Sequence, residues 1–99
     1  MVDYTIEGHK LYCIFKGSLD TVTAMKMENP VDIKIIQTKM PTVFDMRDVH
    51  YICSGFLRIC MRAIKAVGKE NFSVIHADPF VTKAFKIAGL EQFLVSESP

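Results

Sequence analysis

No CxxC pair occurs in this chain, and its three cysteines, Cys13, Cys53 and Cys60, are an odd number. Zinc sites and secreted disulfide frameworks are therefore not expected. His9, His50 and His76 are scattered and stand at no ligand spacing from a cysteine or a carboxylate, which argues against a metal site. No segment approaches the roughly 18 apolar residues that a bilayer-spanning helix requires, so no membrane insertion is expected. The first residues lack a long apolar run and carry Asp3 and Glu7, which argues against a signal peptide. A large basic excess is also missing. The formal net charge is +1, and a dedicated nucleic-acid binder would normally carry far more. Free thiols without an export signal point to the cytoplasm, and nothing in the pattern asks for a cofactor.

What is present suits one small globular domain spanning residues 1–99. Apolar residues make up 49% of the chain and charged residues 23%, an ordinary balance. A chain of 99 residues has room for a single core and hides roughly two-thirds of its unfolded surface. Val2 to Glu7 alternates with a period of two, a half-buried strand. Gly8-His9 is short enough for a hairpin turn. Lys10 to Lys16 is apolar on both faces, which places it inside a sheet. Leu19 to Lys39 reads as helix in two segments. Asp20 caps the first, which turns Val22, Met25 and Met27 inward. Pro30 restarts the second after Asn29, with Ile33 and Ile36 on its apolar side, and Pro41 stops it.

Thr42 to Lys69 is the stretch around which the chain is organised. A short strand, Thr42 to Phe44, leads through a turn at Asp45 to Tyr51 into the small residues Cys53-Ser54-Gly55 and then a helix. Leu57, Cys60, Met61, Ile64 and Val67 share one helical face. Arg58, Arg62, Lys65 and Lys69 fall on another. Phe56, Ile59, Ala63 and Ala66 form a second apolar stripe, which is either covered by neighbouring helices or free for docking. Gly68 ends the helix. Asn71 to Ala77 is a strand, Asp78-Pro79 caps and opens a helix with Val81, Ala84, Phe85 and Ala88 buried, and Phe93 to Val95 is a last strand. A polar tail, Ser96 to Pro99, follows. The order is β-β-α-β-α-β-α-β, with strands joined through helices expected to be parallel.

Three local patterns, in this order of elements, resemble the STAS domain and, within it, the bacterial anti-sigma-factor antagonists. They are Gly17-Ser18-Leu19-Asp20 leading into the first helix, Val43 to Ile52 running into the signature turn, and Ala88-Gly89-Leu90 with Phe93 following. The resemblance implies a mixed α/β fold of about five strands packed with helices. It also implies a non-enzymatic regulator that sequesters an anti-sigma factor, a serine kinase-like protein, and so frees a sigma factor. A PP2C-type phosphatase is the further partner it implies. The family's signature turn reads aspartate-serine-serine-glycine-leucine, its second serine being the phosphorylated one. Laid without gaps, these five fall on Cys53, Ser54, Gly55, Phe56 and Leu57. Sliding by one residue would put Arg58 on the buried face, at the cost of a buried guanidinium. This chain thus departs from the pattern at both the aspartate and the phosphoacceptor.

Ser54 is the nearby hydroxyl that could stand in as phosphoacceptor, and it could equally be a plain helix cap. The partner-binding residues expected from the resemblance and from the helix pattern are Cys53, Ser54, Gly55, Phe56, Arg58, Ile59 and Arg62. Two other classes stay open. One is a STAS subunit of a transporter or lipid-trafficking complex. The other is a thiol enzyme, because Cys53 to Arg58 spans the Cys-x4-Arg spacing of rhodanese-type anion loops and a thiol at a helix start can be activated. Asp45 and Asp48 look like a carboxylate pair but are expected to bind backbone N–H groups.

Overall fold

Gly8 and His9 both take positive φ, 55° and 65°, the geometry of the tightest two-residue hairpin turn. They join β1 (Val2–Glu7) to β2 (Lys10–Lys16) in antiparallel register, Glu7 opposite Lys10 and Val2 opposite Phe15. The computed structural model describes residues 1–95, and the polar tail lies outside them. After the hairpin come α1 (Thr21–Thr38), β3 (Thr42–Asp48), α2 (Ser54–Val67), β4 (Phe72–Ile75), α3 (Pro79–Ile87) and β5 (Leu94–Val95). Short 3-10 turns at Lys69–Asn71 and Glu91–Phe93 precede the last two strands. The sheet order is β1-β2-β3-β4-β5, and β2 to β5 are mutually parallel, as expected for strands joined through helices.

The period-two rule assigns the faces. Leu11, Cys13 and Phe15 of β2 share one face with Thr42, Phe44 and Met46 of β3 and with Phe72 and Val74 of β4; all are buried. Residues from α1, α2 and α3 join this one core cluster, so the helices cover the same side. The opposite face carries the half-buried Tyr12, Ile14, Asp45, Ser73 and Ile75. Rings line the core. Phe15 meets Phe44 at 4.8 Å and Phe56 at 5.0 Å between centroids, and Phe44 meets Phe72 at 4.9 Å, all edge to face. Such pairs contribute about 0.5–1.5 kcal/mol each beyond their buried area. Among the described residues, no helix is long and apolar enough to cross a membrane.

Three local expectations require correction. First, β3 does not stop at Phe44 but continues to Asp48, because Met46 has a buried site on the inner face. Second, α1 is one helix. Pro30 lies inside it, on the exposed side, where water can serve the carbonyl that loses its N–H partner. Asp20 does cap the start, accepting from the Thr23 N–H at 2.9 Å. Third, the buried side of α1 is Ala24, Met27, Val31 and Ile35, at i, i+3, i+7 and i+11. Of the residues expected inward, only Met27 is there. Val22, Met25, Ile33 and Ile36 are 54–73% exposed. A two-segment reading let each half choose its own face, whereas a continuous helix must keep a single one.

Pro30→Ala tests the continuity of α1. Alanine restores the missing hydrogen bond at an exposed position, and an interior proline costs about 3 kcal/mol of helix propensity relative to alanine. The loss of proline's restraint on the unfolded chain offsets about 0.4–1 kcal/mol of that gain. Urea unfolding should therefore show a net rise in stability of about 2–2.6 kcal/mol. A drop would mean that the proline separates two helices.

Candidate functional site

The loops that precede α1 and α2 are tied together by backbone. The Leu19 N–H donates to the Tyr51 carbonyl at 3.0 Å and the Cys53 N–H donates to the Leu19 carbonyl at 3.1 Å, a parallel bridge between Leu19 and Ile52. Both side chains are buried. The starts of the two helices are thereby fixed side by side at one end of the sheet. Cys53 is the residue that caps α2, in extended conformation, and its side chain makes no capping bond. Its carbonyl accepts the N–H groups of Phe56 and Leu57. Ser54 is already the first helical residue, so it is not the cap that one reading assigned it. No acidic residue lies in this first turn, so the dipole end of α2 is not neutralised locally.

The core decides which side of α2 looks outward. Phe56 (0% exposed) wedges against Phe15 and Phe44, and Ile59 (1%), Cys60 and Ala63 continue inward from it. Phe56 and Ile59 were expected at a docking surface; the structure places both in the core, where they hold the helix down. The rings of Phe15 and Phe44 offer an aromatic seat that the smaller Leu57 stripe cannot fill as well. Leu57, Ile64 and Val67 are half-buried at its edge, and Met61 is 45% exposed. The outward face is Ser54, Arg58, Met61 and Lys65, at i, i+4, i+7 and i+11. Arg58 is exposed, in keeping with the ungapped placement of the signature turn.

Arg62 stands between the helices and holds Glu28 at 3.0 Å and Asp32 of α1 in ion pairs. The Asp32 side chain is only 15% exposed, so this bridge locks α1 to α2 more than it advertises a charge. Gly55 is half-buried and faces α1. A Cβ built there would stand 3.4 Å from Ala24 Cβ and 3.4 Å from Cys53 Sγ, at the near edge of ordinary contact.

The sequence reading missed two groupings at this end of the sheet. Tyr51 and Phe80, both about half exposed, stack with centroids 5.9 Å apart, joining the loop before α2 to the first turn of α3. In the same loops His50 Nδ1 lies 2.7 Å from Asp78 Oδ2, while Asp78 Oδ1 accepts the Val81 N–H at 2.9 Å as the cap of α3. The Asp-Pro dipeptide announced the cap, but nothing local announced the stack, since 29 positions separate its rings. In the second grouping Asp45 accepts the Arg47 N–H at 3.0 Å, as expected for a turn-type aspartate, and also contacts His76 Nδ1 at 2.9 Å. The Arg47 guanidinium lies 3.2 Å from His76 Nε2.

The geometry does not build an anion loop of the rhodanese type. Such a loop would have to turn its backbone N–H groups toward one point between Cys53 and Arg58, but the chain is helical from Ser54 onward. The arrangement is instead an open, outward helix face beside an exposed aromatic pair.

Comparison with solved structures agrees with this architecture. The unphosphorylated anti-sigma factor antagonist SpoIIAA superposes with a TM-score of 0.82 at 12% identity, over 99% of this chain and 89% of its own. An anti-sigma factor antagonist from Mycobacterium paratuberculosis gives 0.81 at 22% identity, over 95% and 81%. An anti-sigma-factor antagonist (STAS) domain protein from Planctomyces limnophilus gives 0.79 at 14%, over 97% and 91%. The fold is that of the STAS domain. No family model matches the sequence, and no curated protein matches it. The STAS fold was the expectation drawn from the residues, and the five-stranded mixed sheet with three helices bears it out.

Thiol chemistry at the site follows from burial. Burial pushes the Cys13 thiol up to about 12 and raises Cys60 well above its ordinary value, whereas Cys53 is half-buried at the helix start. Titration with a thiol-reactive disulfide at pH 8 should therefore modify one cysteine in the folded protein and all three in denaturant. Mass mapping should place the native label on Cys53, and rapid native labelling of Cys13 would contradict the packing of β2 described above.

The cap of α3 makes a second prediction. The Val81 N–H, and after it His50, hold the Asp78 carboxyl below its usual range. A depressed folded pKa contributes stability that is present above the unfolded carboxylate value near ~3.9 and is lost as pH falls through the lower folded value. Asp78→Ala should cost about 1 kcal/mol at neutral pH, and Asp78→Asn much less, because the amide oxygen still caps. The difference between wild type and Asp78→Ala should shrink in urea titrations carried below the ordinary carboxylate pKa.

Proposed function

We propose that this STAS-fold protein is an anti-sigma-factor antagonist, binding an anti-sigma factor of the serine kinase-like class and so releasing a sigma factor. One observation carries the reading: a STAS fold presents, beside its signature turn, an outward face of α2 made of Ser54, Arg58, Met61 and Lys65 with nothing covering it among the described residues. Its structural neighbours are anti-sigma factor antagonists, and one of them, SpoIIAA, is known in phosphorylated as well as unphosphorylated form. Binding works by competition: the antagonist and the sigma factor share one partner, and occupancy follows relative affinity and concentration. Cys53, Ser54 and Gly55 form the edge of the contact, and Arg58 and Met61 its centre. Phe56 and Ile59 serve it from below by fixing the helix.

Control by phosphorylation rests on Ser54. It is exposed at the start of α2, where the helix dipole favours a phosphate and Arg58 lies one turn on. Gly55 occupies the family's usual acceptor position and offers no hydroxyl. A PP2C-type phosphatase is a further partner only if Ser54 is modified. Incubation with the captured kinase-like partner and ATP should add one phosphate to the wild type and none to Ser54→Ala. Gly55→Ser puts a hydroxyl at the family's usual acceptor position and should take up one phosphate more than wild type.

The binding reading is tested by capture from native lysate followed by calorimetry with the purified partner. The expected partner is an anti-sigma factor, and Met61→Glu or Arg58→Glu should weaken its binding at least tenfold while circular dichroism stays native. Capture of a transporter ATPase instead would assign the chain to a transport complex. Unchanged affinity in both folded variants would remove α2 from the interface.

A further inference from the structure

A groove runs between α1 and α2 along the helix-covered side of the protein. Two hollows of about 360 and 530 Å³ share Ile35, Ile36 and Ala66 on their walls, and a smaller one between Met25 and Gly55, at the start of α2, lies on the other side of the Arg62 bridge to Glu28 and Asp32, which crosses the groove between them. Ala66 is the small exposed residue on the α2 side, while Ala24 and Ala63 are buried where the two helices meet. The α1 lip is apolar and exposed: Met25 at 73%, Ile36 at 61%, with Val22 and Ile33 just outside them. Met40, Pro41 and Val67 close the far end.

The charges are lopsided. The two acidic groups at the groove, Glu28 and Asp32, are both taken by Arg62. Arg58, Lys65 and Lys39 also line it, and none has an ion-pair partner among the described residues. An apolar strip with unpaired cations along and beyond its walls matches a ligand with the opposite pattern.

We propose that this groove receives an amphipathic α-helix of the partner protein, about four turns long, whose apolar stripe lies on Met25, Ile36 and Ala66 and whose flank is acidic. The proposal rests on the reading of the chain as a partner-binding module and adds a second contact beside the α2 crest, with stated chemistry. α2 has 14 residues and so spans about 21 Å at ~1.5 Å per residue, the length of a helix of similar size laid alongside. A helix in a helix-lined groove is a recurring recognition mode, read by anchors at i, i+3, i+4 and i+7. A second copy of this chain fits less well, because it would bring Arg58, Lys65 and Lys39 against their own counterparts. A strand is excluded from this site, which offers no sheet edge.

Two synthetic 16-residue peptides with the same leucine stripe, one flanked by glutamates and the other by lysines, test the idea against the 15N-labelled full chain. The glutamate peptide should shift amides in Met25–Ile36 and Gly55–Ala66 and bind at least tenfold more tightly than the lysine peptide. Met25→Ser combined with Ile36→Ser changes only exposed side chains, so the fold should stay native and glutamate-peptide affinity should fall at least tenfold. Equal affinity for the two peptides, no binding by either, or shifts confined to the Tyr51–Phe80 stack or the open sheet face would overturn the proposal. Shifts that grow with protein concentration in the absence of peptide, and vanish in the double variant, would overturn it in favour of a second copy. A captured anti-sigma partner that binds the double variant normally, yet loses Met61→Glu, would sink the groove and leave the proposed function standing. Peptide binding as expected, without capture of any anti-sigma factor, would sink the function and leave the groove.

Discussion

The seating of one ring, Phe56, decides what this protein shows to the outside. It lies in an aromatic cluster with Phe15 of β2 and Phe44 of β3, and as the third residue of α2 it sets the rotation of the whole helix. A rotation of one residue, about 100°, would carry Leu57 or Gly55 to the sheet and turn Arg58 or Ser54 toward the core. Deleting a phenylalanine from such a site costs about 3–5 kcal/mol, more than half the stability of a marginal domain. The outward arc of Ser54, Arg58, Met61 and Lys65 is therefore the remainder left once the core has taken what it needs.

The parallel bridge between Leu19 and Ile52 complements that seating. It spends two backbone hydrogen bonds on joining loops rather than strands, and it brings Asp20, the cap of α1, to the same end of the molecule as Cys53, the cap of α2. α1 and α2 consequently start level, pack along their length, and are pinned at the middle by Arg62 between Glu28 and Asp32. Breaking only the Arg62 side of that network would leave two carboxylates close together, one of them largely shielded from water, which is costly in itself. Arg62 thus ties the two helices together across the surface between them.

The first hairpin, the caps and the helix stop were legible in the sequence because their signals are local, whereas β3 was read as ending at Phe44 and runs to Asp48. The period-two run of Val2 to Glu7, the Gly8-His9 turn, the Asp20 and Asp78 caps and the Gly68 stop all appear where the residues put them. The helix faces were not legible in the same way. α2 is apolar over more than half its circumference, so periodicity alone offered two candidate stripes, and only the rings waiting on β2 and β3 chose between them. α1 misled for the opposite reason: Pro30 invited a break, and the exposed Val22, Met25, Ile33 and Ile36 looked like a core stripe because hydropathy says nothing about which side the sheet is on. The Tyr51–Phe80 stack and the Asp45–His76 contact join residues about thirty positions apart, beyond the reach of any local pattern.

Why should so much apolar surface stay on α1 when the same helix has a complete buried face? Four large aliphatic side chains in the open each forgo roughly 1.5–3 kcal/mol of burial, so the arrangement brings the isolated chain no stability. Nor do they serve helix formation well, since β-branched Val22 and Ile33 and Ile36 are weaker helix formers than the straight-chain polar residues that usually cover an exposed side. Their spacing, at i, i+3, i+11 and i+14, keeps them on one arc rather than scattering them as single exposed residues would be. An apolar arc that neither the fold nor the helix requires, lying beside cations left without partners, is the physical pattern of a surface completed by another molecule.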